Sequence, residues 1–217
     1  MSGESQVRDE SRAGSLLRIA ATLRAGANIG DSTFDAHLPR RYRWASETHW
    51  TPVAACREAA EWLAPEPGAR VLDVGSGVGK LCLVGSLTTG ATFVGIEQRP
   101  HLVQIARALG GQLGATTATF LCDDAFAVDW RDFSSIYFFN PFAEALFPEA
   151  LRIDLTVEQT EQRYELAIAH LSDRLANLGR GTRVVIYHAL GCVLPDGFHR
   201  IDRKRSAHSH MELWVRG

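Results

Sequence analysis

Residues 71–80 read VLDVGSGVGK. The apolar start is a short strand, which runs into Gly75, Gly77 and Gly79 and then into a helix-compatible stretch near Lys80–Leu87. Glycines at this spacing turn the chain tightly and let backbone N–H groups approach a ligand closely. A dinucleotide loop follows G-x-G-x-x-G. Here the pattern is D-x-G-x-G-x-G, with Asp73 two residues before the first glycine. A carboxylate at that point repels a pyrophosphate and suits an ammonium group. The unit is expected to hold a ligand that is cationic at one end.

Strands and helices alternate downstream. Arg70–Val74 is the first strand and Ala91–Glu97 the second, and Pro100 opens a helix to about Leu109. Thr117–Cys122 and Ser134–Phe139 are the third and fourth strands. A helix over about Val157–Leu178 follows, with Tyr164, Ile168, Leu171, Leu175 and Leu178 on one stripe, a capping box at Thr156 and Gln159, and Gly179 at its end. Thr182–His188 is a fifth strand; Phe198–Arg203 and His208–Val215 form a closing pair without a helix between them. This alternation predicts an α/β fold whose parallel sheet carries helices on both faces, with an antiparallel hairpin at one edge.

Three strand ends then carry acids. Glu97 closes the second strand, where a carboxylate can accept from both hydroxyls of a ribose. The third strand ends in Asp123-Asp124, before Ala125 and Phe126, and Asp124 is favoured to accept from an adenine amino group. Partners for an ammonium, a ribose and an adenine describe S-adenosylmethionine. The cofactor-binding set expected from this is Asp73, Gly75, Ser76, Gly77, Gly79, Glu97, Gln98, Asp123, Asp124, Ala125 and Asn140.

With VLDVGSGVGK, VGIE, CDDAF and FFNPF in place, residues 66–217 resemble the class I (Rossmann-like) S-adenosylmethionine-dependent methyltransferases. The resemblance implies a three-layer α/β/α sandwich around a seven-stranded sheet of order 3-2-1-4-5-7-6, its last strand antiparallel. The GSGVG loop is also similar to that of the non-SET histone-lysine methyltransferases, whose long substrate-binding extensions have no room here. In amino-methyltransferases of this fold a [DNS]-P-P-[FYW] motif follows the fourth strand. Its side-chain oxygen accepts from the acceptor's N–H and its aromatic ring stacks on a planar substrate. The chain has Asn140-Pro141-Phe142-Ala143, one proline short, so the resemblance implies Asn140, Pro141 and Phe142 as the catalytic set, without the backbone path of two prolines. A strand-ending turn is the bland alternative for Asn-Pro.

Composition narrows the class. At 46% hydrophobic and 22% charged the 217 residues suit a globular protein with a substantial core. A net charge of −2 carries no strong nucleic-acid signal and no membrane attraction, so an acceptor on a protein or a small molecule is expected. Cys56, Cys82, Cys122 and Cys192 lie far apart, which suits reduced thiols in a cytoplasm rather than disulfides.

Residues 1–14 are polar and expected to be disordered. A helical cap or substrate lid is expected over 15–65, with helices over Ser15–Ala25 and from Pro52 to Leu63 behind an N-cap at Thr51. Arg40, Arg41 and Arg43 with Tyr42, Trp44 and Trp50 could hold an acidic or planar substrate, or simply pack as a linker. His49 and His188 are candidate bases by reach. His208 and His210 share a strand face, more simply an exposed edge than a metal site, and Arg203-Lys204-Arg205 is most simply a solvated turn; no metal is expected. A non-catalytic S-adenosylmethionine-binding protein and a nicotinamide oxidoreductase are the competing readings.

Overall fold

The computed structural model describes residues 3–140, 142–188, 194–206 and 209–217. Seven strands form one sheet: β1 (Arg70–Val74), β2 (Thr92–Glu97), β3 (Ala118–Cys122), β4 (Ser135–Phe139), β5 (Arg183–Tyr187), β6 (Phe198–Ser206) and β7 (Ser209–Arg216). Their order is β3-β2-β1-β4-β5-β7-β6. The first five run parallel and β7 runs antiparallel to both of its neighbours. This is the expected topology, closing hairpin included.

The period-two alternation of β1 divides the interior into two cores. Val71 packs with one face, where α1 (Gly3–Arg24), α3 (Val53–Leu63), α4 (Lys80–Thr88) and α5 (Pro100–Leu113) lie; Leu72 and Val74 pack with the other. On the second face α6 (Glu161–Ala176) is the long helix, and the β3–β4 connection is no crossover helix. Trp130 fills that gap. It is fully buried, lies 5.6 Å from Phe138 and 5.8 Å from Phe126, and donates its indole N–H to the Ala125 carbonyl at 2.9 Å. One large ring replaces much of the apolar face of a missing helix.

Several local expectations are corrected. Helix α1 starts at Gly3, so disorder over 1–14 does not hold for residues 3–14. Those residues are polar but include the good helix formers Glu4, Gln6, Glu10 and Ala13, and helix propagates readily from the docked half. Thr51 is not the cap of α3. Pro52 occupies that position, the Asp31 carboxylate takes the Val53 N–H at 3.0 Å, and the Thr51 hydroxyl pairs with the Tyr137 hydroxyl at 2.7 Å. Helix α6 begins at Glu161, where the Thr160 hydroxyl accepts the Arg163 N–H. Thr156 instead bonds Asp154, which holds its own turn and delays the helix.

The segment between α1 and α3 carries α2 (Asp31–Asp35) and a 3-10 turn over Arg40–Glu47. Lys80, the last residue of the glycine motif, fastens it to the sheet domain. Its buried ammonium sits 2.8 Å from Asp31 Oδ1 and 2.9 Å from Asp35 Oδ1, and donates to Ser46 Oγ at 2.8 Å. Removing one partner of a buried pair costs far more than the pair itself contributes, because a buried charge is left alone. Lys80→Met is therefore expected to destabilise the chain by about 3 kcal/mol, read as a lower urea midpoint. A loss below about 0.5 kcal/mol would mean that this anchor is not structural.

Candidate active site

A cavity of about 450 Å³ opens at the carboxyl ends of the parallel strands. Open α/β sheets bind ligands there, beyond the strand ends where the order reverses, and the size is that of a small-molecule site. Of the residues expected from sequence, Gly75, Gly77, Glu97, Gln98, Asp123, Asp124, Ala125, Asn140 and Phe142 line it.

Glu97 is the central group. It is buried, its Oε2 accepts the Gly77 N–H at 3.2 Å and its Oε1 accepts the Arg99 N–H at 2.9 Å. A carboxylate has about four acceptor sites, so both oxygens keep capacity for a ligand's hydroxyls. Burial raises the Glu97 pKa, opposed by the Arg99 N–H, the Arg99 guanidinium and the Gly77 N–H. Arg99 is itself buried among Glu97 (3.6 Å), Glu144 (2.8 Å) and Asp154 (3.3 Å). Glu144 also takes the Ile153 N–H at 2.7 Å. The arginine thus latches the connection after β4 onto the end of β2, and Glu144, Phe147 and Ile153 of that connection become cavity wall.

Three expected residues lie behind the wall. Asp73 is buried and faces α4, where it accepts the Cys82 thiol at 3.4 Å. Burial pushes its carboxyl up to about 7, the thiol opposing and Glu97 reinforcing the rise. Ser76 turns its side chain toward Gly95, where an added Cβ would lie 2.6 Å from Ser76 Oγ. Gly79 caps α4 at φ +77, and a Cβ there would meet the Phe120 ring at 2.4 Å, so no other residue fits.

At the end of β3, Asp123 and Asp124 are both exposed to the cavity. Asp123 Oδ1 accepts the Asp124 N–H and Asp124 Oδ1 accepts the Phe126 N–H, each at 2.8 Å. Phe126 extends this wall: its ring stacks on Phe142 at 5.6 Å and meets His170 of α6 edge-on at 5.3 Å.

The end of β4 stores backbone strain. Among the described residues, the non-glycine positions with positive φ are Asn140 (43°), Phe142 (64°) and His188 (62°). All three stand at the ends of the neighbouring strands β4 and β5. Asparagine tolerates this region, whereas for a bulky phenylalanine it is an outlier. Such strain gathers where the surroundings force a side chain into a functional position. The Asn140 Oδ1 is buried and has no hydrogen-bond partner among the described residues. The expectation for Pro141 falls outside the described residues, as does that for His208.

The glycine loop is covered from the N-terminal side. Trp50 is buried over Gly77, where an added Cβ would lie 2.8 Å from the indole nitrogen, and that nitrogen has no partner among the described residues. Tyr42 meets Trp50 edge-on at 6.3 Å. So of the basic–aromatic segment, Tyr42 and Trp50 pack inward, while Arg40, Arg41 and Trp44 remain exposed. Arg43 is occupied with the carbonyls of Leu38 and Ala36. Arg99 and Glu144 carry no signal in the sequence, and Phe126 was named there only as a residue that follows the Asp123-Asp124 pair. Among the described residues, no group of three His, Cys, Asp or Glu side chains is placed to hold a metal ion.

The profile of the family described as "Protein-L-isoaspartate(D-aspartate) O-methyltransferase (PCMT)" matches residues 46–132, less than half of the chain. The 23S rRNA (uracil(1939)-C(5))-methyltransferase RlmD of Shewanella sp. (strain ANA-3) is 39% identical over 67 residues, which are 31% of this chain and 15% of that relative. The chain thus spans a small part of the length of the relatives it matches. The structure of an RNA methyltransferase from Salinibacter ruber in complex with S-adenosyl-L-homocysteine has a TM-score of 0.50 at 21% identity, covering 74% of this chain and 89% of that one. Magnesium protoporphyrin IX methyltransferase from Synechocystis PCC 6803, with bound SAM, has a TM-score of 0.56 at 18% identity, covering 86% and 93%.

At these identities the structural likeness shows the fold alone. One expectation is overturned: the reading of no strong nucleic-acid signal does not stand, because curated relatives are named as 23S rRNA methyltransferases and a similar solved structure as an RNA methyltransferase. A net charge averages over the whole surface and does not report what a local site recognises.

The Asp73 carboxyl gives a direct test of the geometry behind the loop. A folded-state value raised from 3.8 to about 7 contributes stability that is complete below 3.8 and lost as pH rises through 7. Between pH 5 and 8 the melting temperature of the ligand-free chain is expected to fall by several degrees more than that of Asp73→Asn. Parallel curves would place Asp73 in contact with water rather than beneath the loop.

Proposed function

We propose that this chain is a class I S-adenosylmethionine-dependent methyltransferase that transfers a methyl group to an N–H nucleophile on a planar acceptor, a nucleobase of RNA. The observation that carries the reading is Asn140: a buried acceptor atom with no partner, held by a strained strand end beside a cavity of cofactor size.

The residues present suit S-adenosylmethionine. Glu97 keeps acceptor capacity for ribose hydroxyls, and Asp123 or Asp124 for an adenine amino group, with Phe126 against the ring. The space above Gly75 is open, with no atom within 4 Å of an added Cβ, as the approach of an amino-acid end requires. Asp73 lies beneath the loop, and a bound ammonium would favour its ionised form, whose negative potential would in turn hold the ammonium. When bound, this cofactor supplies an already activated methyl group, so the chain's work is to orient the acceptor, take its proton and exclude water.

Asn140 Oδ1 is suited to accept the nucleophile's N–H and so turn its lone pair toward the donor, while Phe142 and Phe126 offer faces for a planar ring. The matches to RNA methyltransferases support a nucleobase, and exposed Arg40, Arg41 and Trp44, on the segment that leads to the cavity wall, suit phosphate and base contacts. Unpaired thiols at Cys56, Cys82 and Cys122 suit a reducing cytoplasm. Among the described residues no helix is long and apolar enough to cross a membrane.

The test is transfer of a labelled methyl group from S-adenosylmethionine to RNA isolated from cells lacking this gene. Label in RNA is expected. Label confined to protein or small-molecule fractions would refute the acceptor class, and cofactor binding without label in any fraction would leave a binding protein. Two variants separate the roles. Glu97→Ala loses charge-assisted hydrogen bonds worth about 1.5–3 kcal/mol, and should weaken S-adenosylhomocysteine binding roughly ten- to a hundredfold by calorimetry. Asn140→Ala should leave that affinity within about threefold and lower turnover about a hundredfold; equal losses in both would make Asn140 a structural turn.

A further inference from the structure

Methyl transfer to a nucleophile that still carries a proton needs somewhere for the proton to go, and Asn140 as an amide cannot take it. Among the titratable side chains that line the cavity, His49 is held in the way that step needs. His49 lies on the N-terminal segment just before Trp50, lines the cavity and is half-buried. Its Nε2 is 2.7 Å from the Leu151 carbonyl. A carbonyl only accepts, so Nε2 carries the hydrogen and Nδ1 carries the lone pair. Two rings hold the imidazole edge-on, Trp44 at 5.6 Å and 88° and Phe147 at 5.6 Å and 67°. The Leu151 carbonyl and Phe147 belong to the connection that Arg99 latches through Glu144 and Asp154. Tautomer and orientation are therefore fixed by the same strap that closes the cavity, an arrangement that a merely space-filling histidine does not need.

We propose that His49 is a catalytic residue, the general base that receives the acceptor's proton at Nδ1. This rests on the methyl-transfer reading above. The acceptor's lone pair forms the bond to the methyl carbon as the carbon–sulfur bond breaks, with that electron pair staying on sulfur as a neutral thioether. The acceptor's proton passes to His49 Nδ1, giving an imidazolium that releases it to solvent after product leaves. Asn140 and His49 then divide the work: one orients the nucleophile and the other deprotonates it.

The surroundings keep the ring neutral and ready to accept. Burial lowers the His49 pKa, while the Leu151 carbonyl and Glu144 push it up and Arg99 pushes it down. Glu158, Arg163, Tyr164 and His170 are the other charged or titratable groups on the wall beside the α6 side, and Asp123 and Asp124 stand at the end of β3. The proposal also limits the acceptor, because an imidazole base helps only a nucleophile that must lose a proton to react or to leave as neutral product.

His49→Gln decides the matter in the labelled-methyl assay on RNA from cells lacking this gene. The expected result is a fall in kcat of at least about 100-fold, with S-adenosylhomocysteine affinity and KM within threefold. In the native chain log kcat/KM should rise with pH to a plateau, with its midpoint below the ordinary histidine value of 6.5, and the variant should lose that limb. Unchanged kcat, an unchanged profile or a matching loss of cofactor affinity each overturns the assignment, the last by making His49 a strap contact. A native chain that labels RNA while the variant is equally active leaves the methyltransferase reading standing and removes His49; a native chain that labels nothing removes both. Long-range proton–nitrogen NMR on the native chain saturated with S-adenosylhomocysteine avoids mutation altogether. A neutral ring protonated at Nε2 is expected at pH 7.5, and protonation at Nδ1 would overturn the base.

Discussion

One buried carboxylate joins the pieces from which the cavity is made. Glu97 takes a backbone N–H from the glycine loop and another from Arg99, so the ends of β1 and β2 are held at a defined separation. Arg99 carries the constraint onward to Glu144 and Asp154, and with them to the whole connection that follows β4. A buried arginine with three carboxylates around it stays charged, and each carboxylate gives up water in exchange for a fixed partner. The cluster is less a source of net stability than a means of setting register. Without it, neither the Phe147 ring nor the Leu151 carbonyl has a reason to face His49.

A second anchor acts from the opposite side. Lys80 leaves the glycine motif and binds Asp31, Asp35 and Ser46, which brings the N-terminal segment over the loop and Trp50 onto Gly77. The motif's lysine is thus spent on architecture. Helix α3 also serves the sheet directly, since Ala55, Ala59 and Leu63 share a core with Val71, Tyr137 and Val185. What the segment before it contributes to the cavity is a wall made of Thr48, His49 and Trp50.

The sheet was legible because parallel strands buried on both faces read as short apolar runs bounded by glycine and acid. Arg70–Val74 matches to the residue, and the strand order followed from the resemblance and the closing hairpin. The helices were less legible where capping is tertiary: α3 takes its cap from Asp31, 22 residues away, and α6 starts after a turn made by Asp154. The acids at strand ends were legible as a set, but their orientation was not weighed. Alternation along β1 puts Asp73 on the same face as Val71, toward α4, so a position two residues before the loop points behind it. The strap could not be read at all, since Arg99, Glu144 and Asp154 meet across 45 and 55 residues. Overall charge misdirected the partner, for it says nothing about a site whose recognition is local.

The strain at Asn140, Phe142 and His188 fits the same picture. Phe142 sits in the left-handed region with its ring stacked on Phe126, and strain of this kind persists where the surroundings over-determine it. All of this turns on one claim, that the cavity between Glu97 and Asn140 is the seat of a methyl donor. The most direct measurement is a crystal structure of the chain grown with S-adenosylhomocysteine. Density with the ribose on Glu97, the adenine beside Asp123 or Asp124, and the sulfur facing Asn140 is the expected result. A ligand lodged elsewhere, or an empty cavity at saturating concentration, would contradict it.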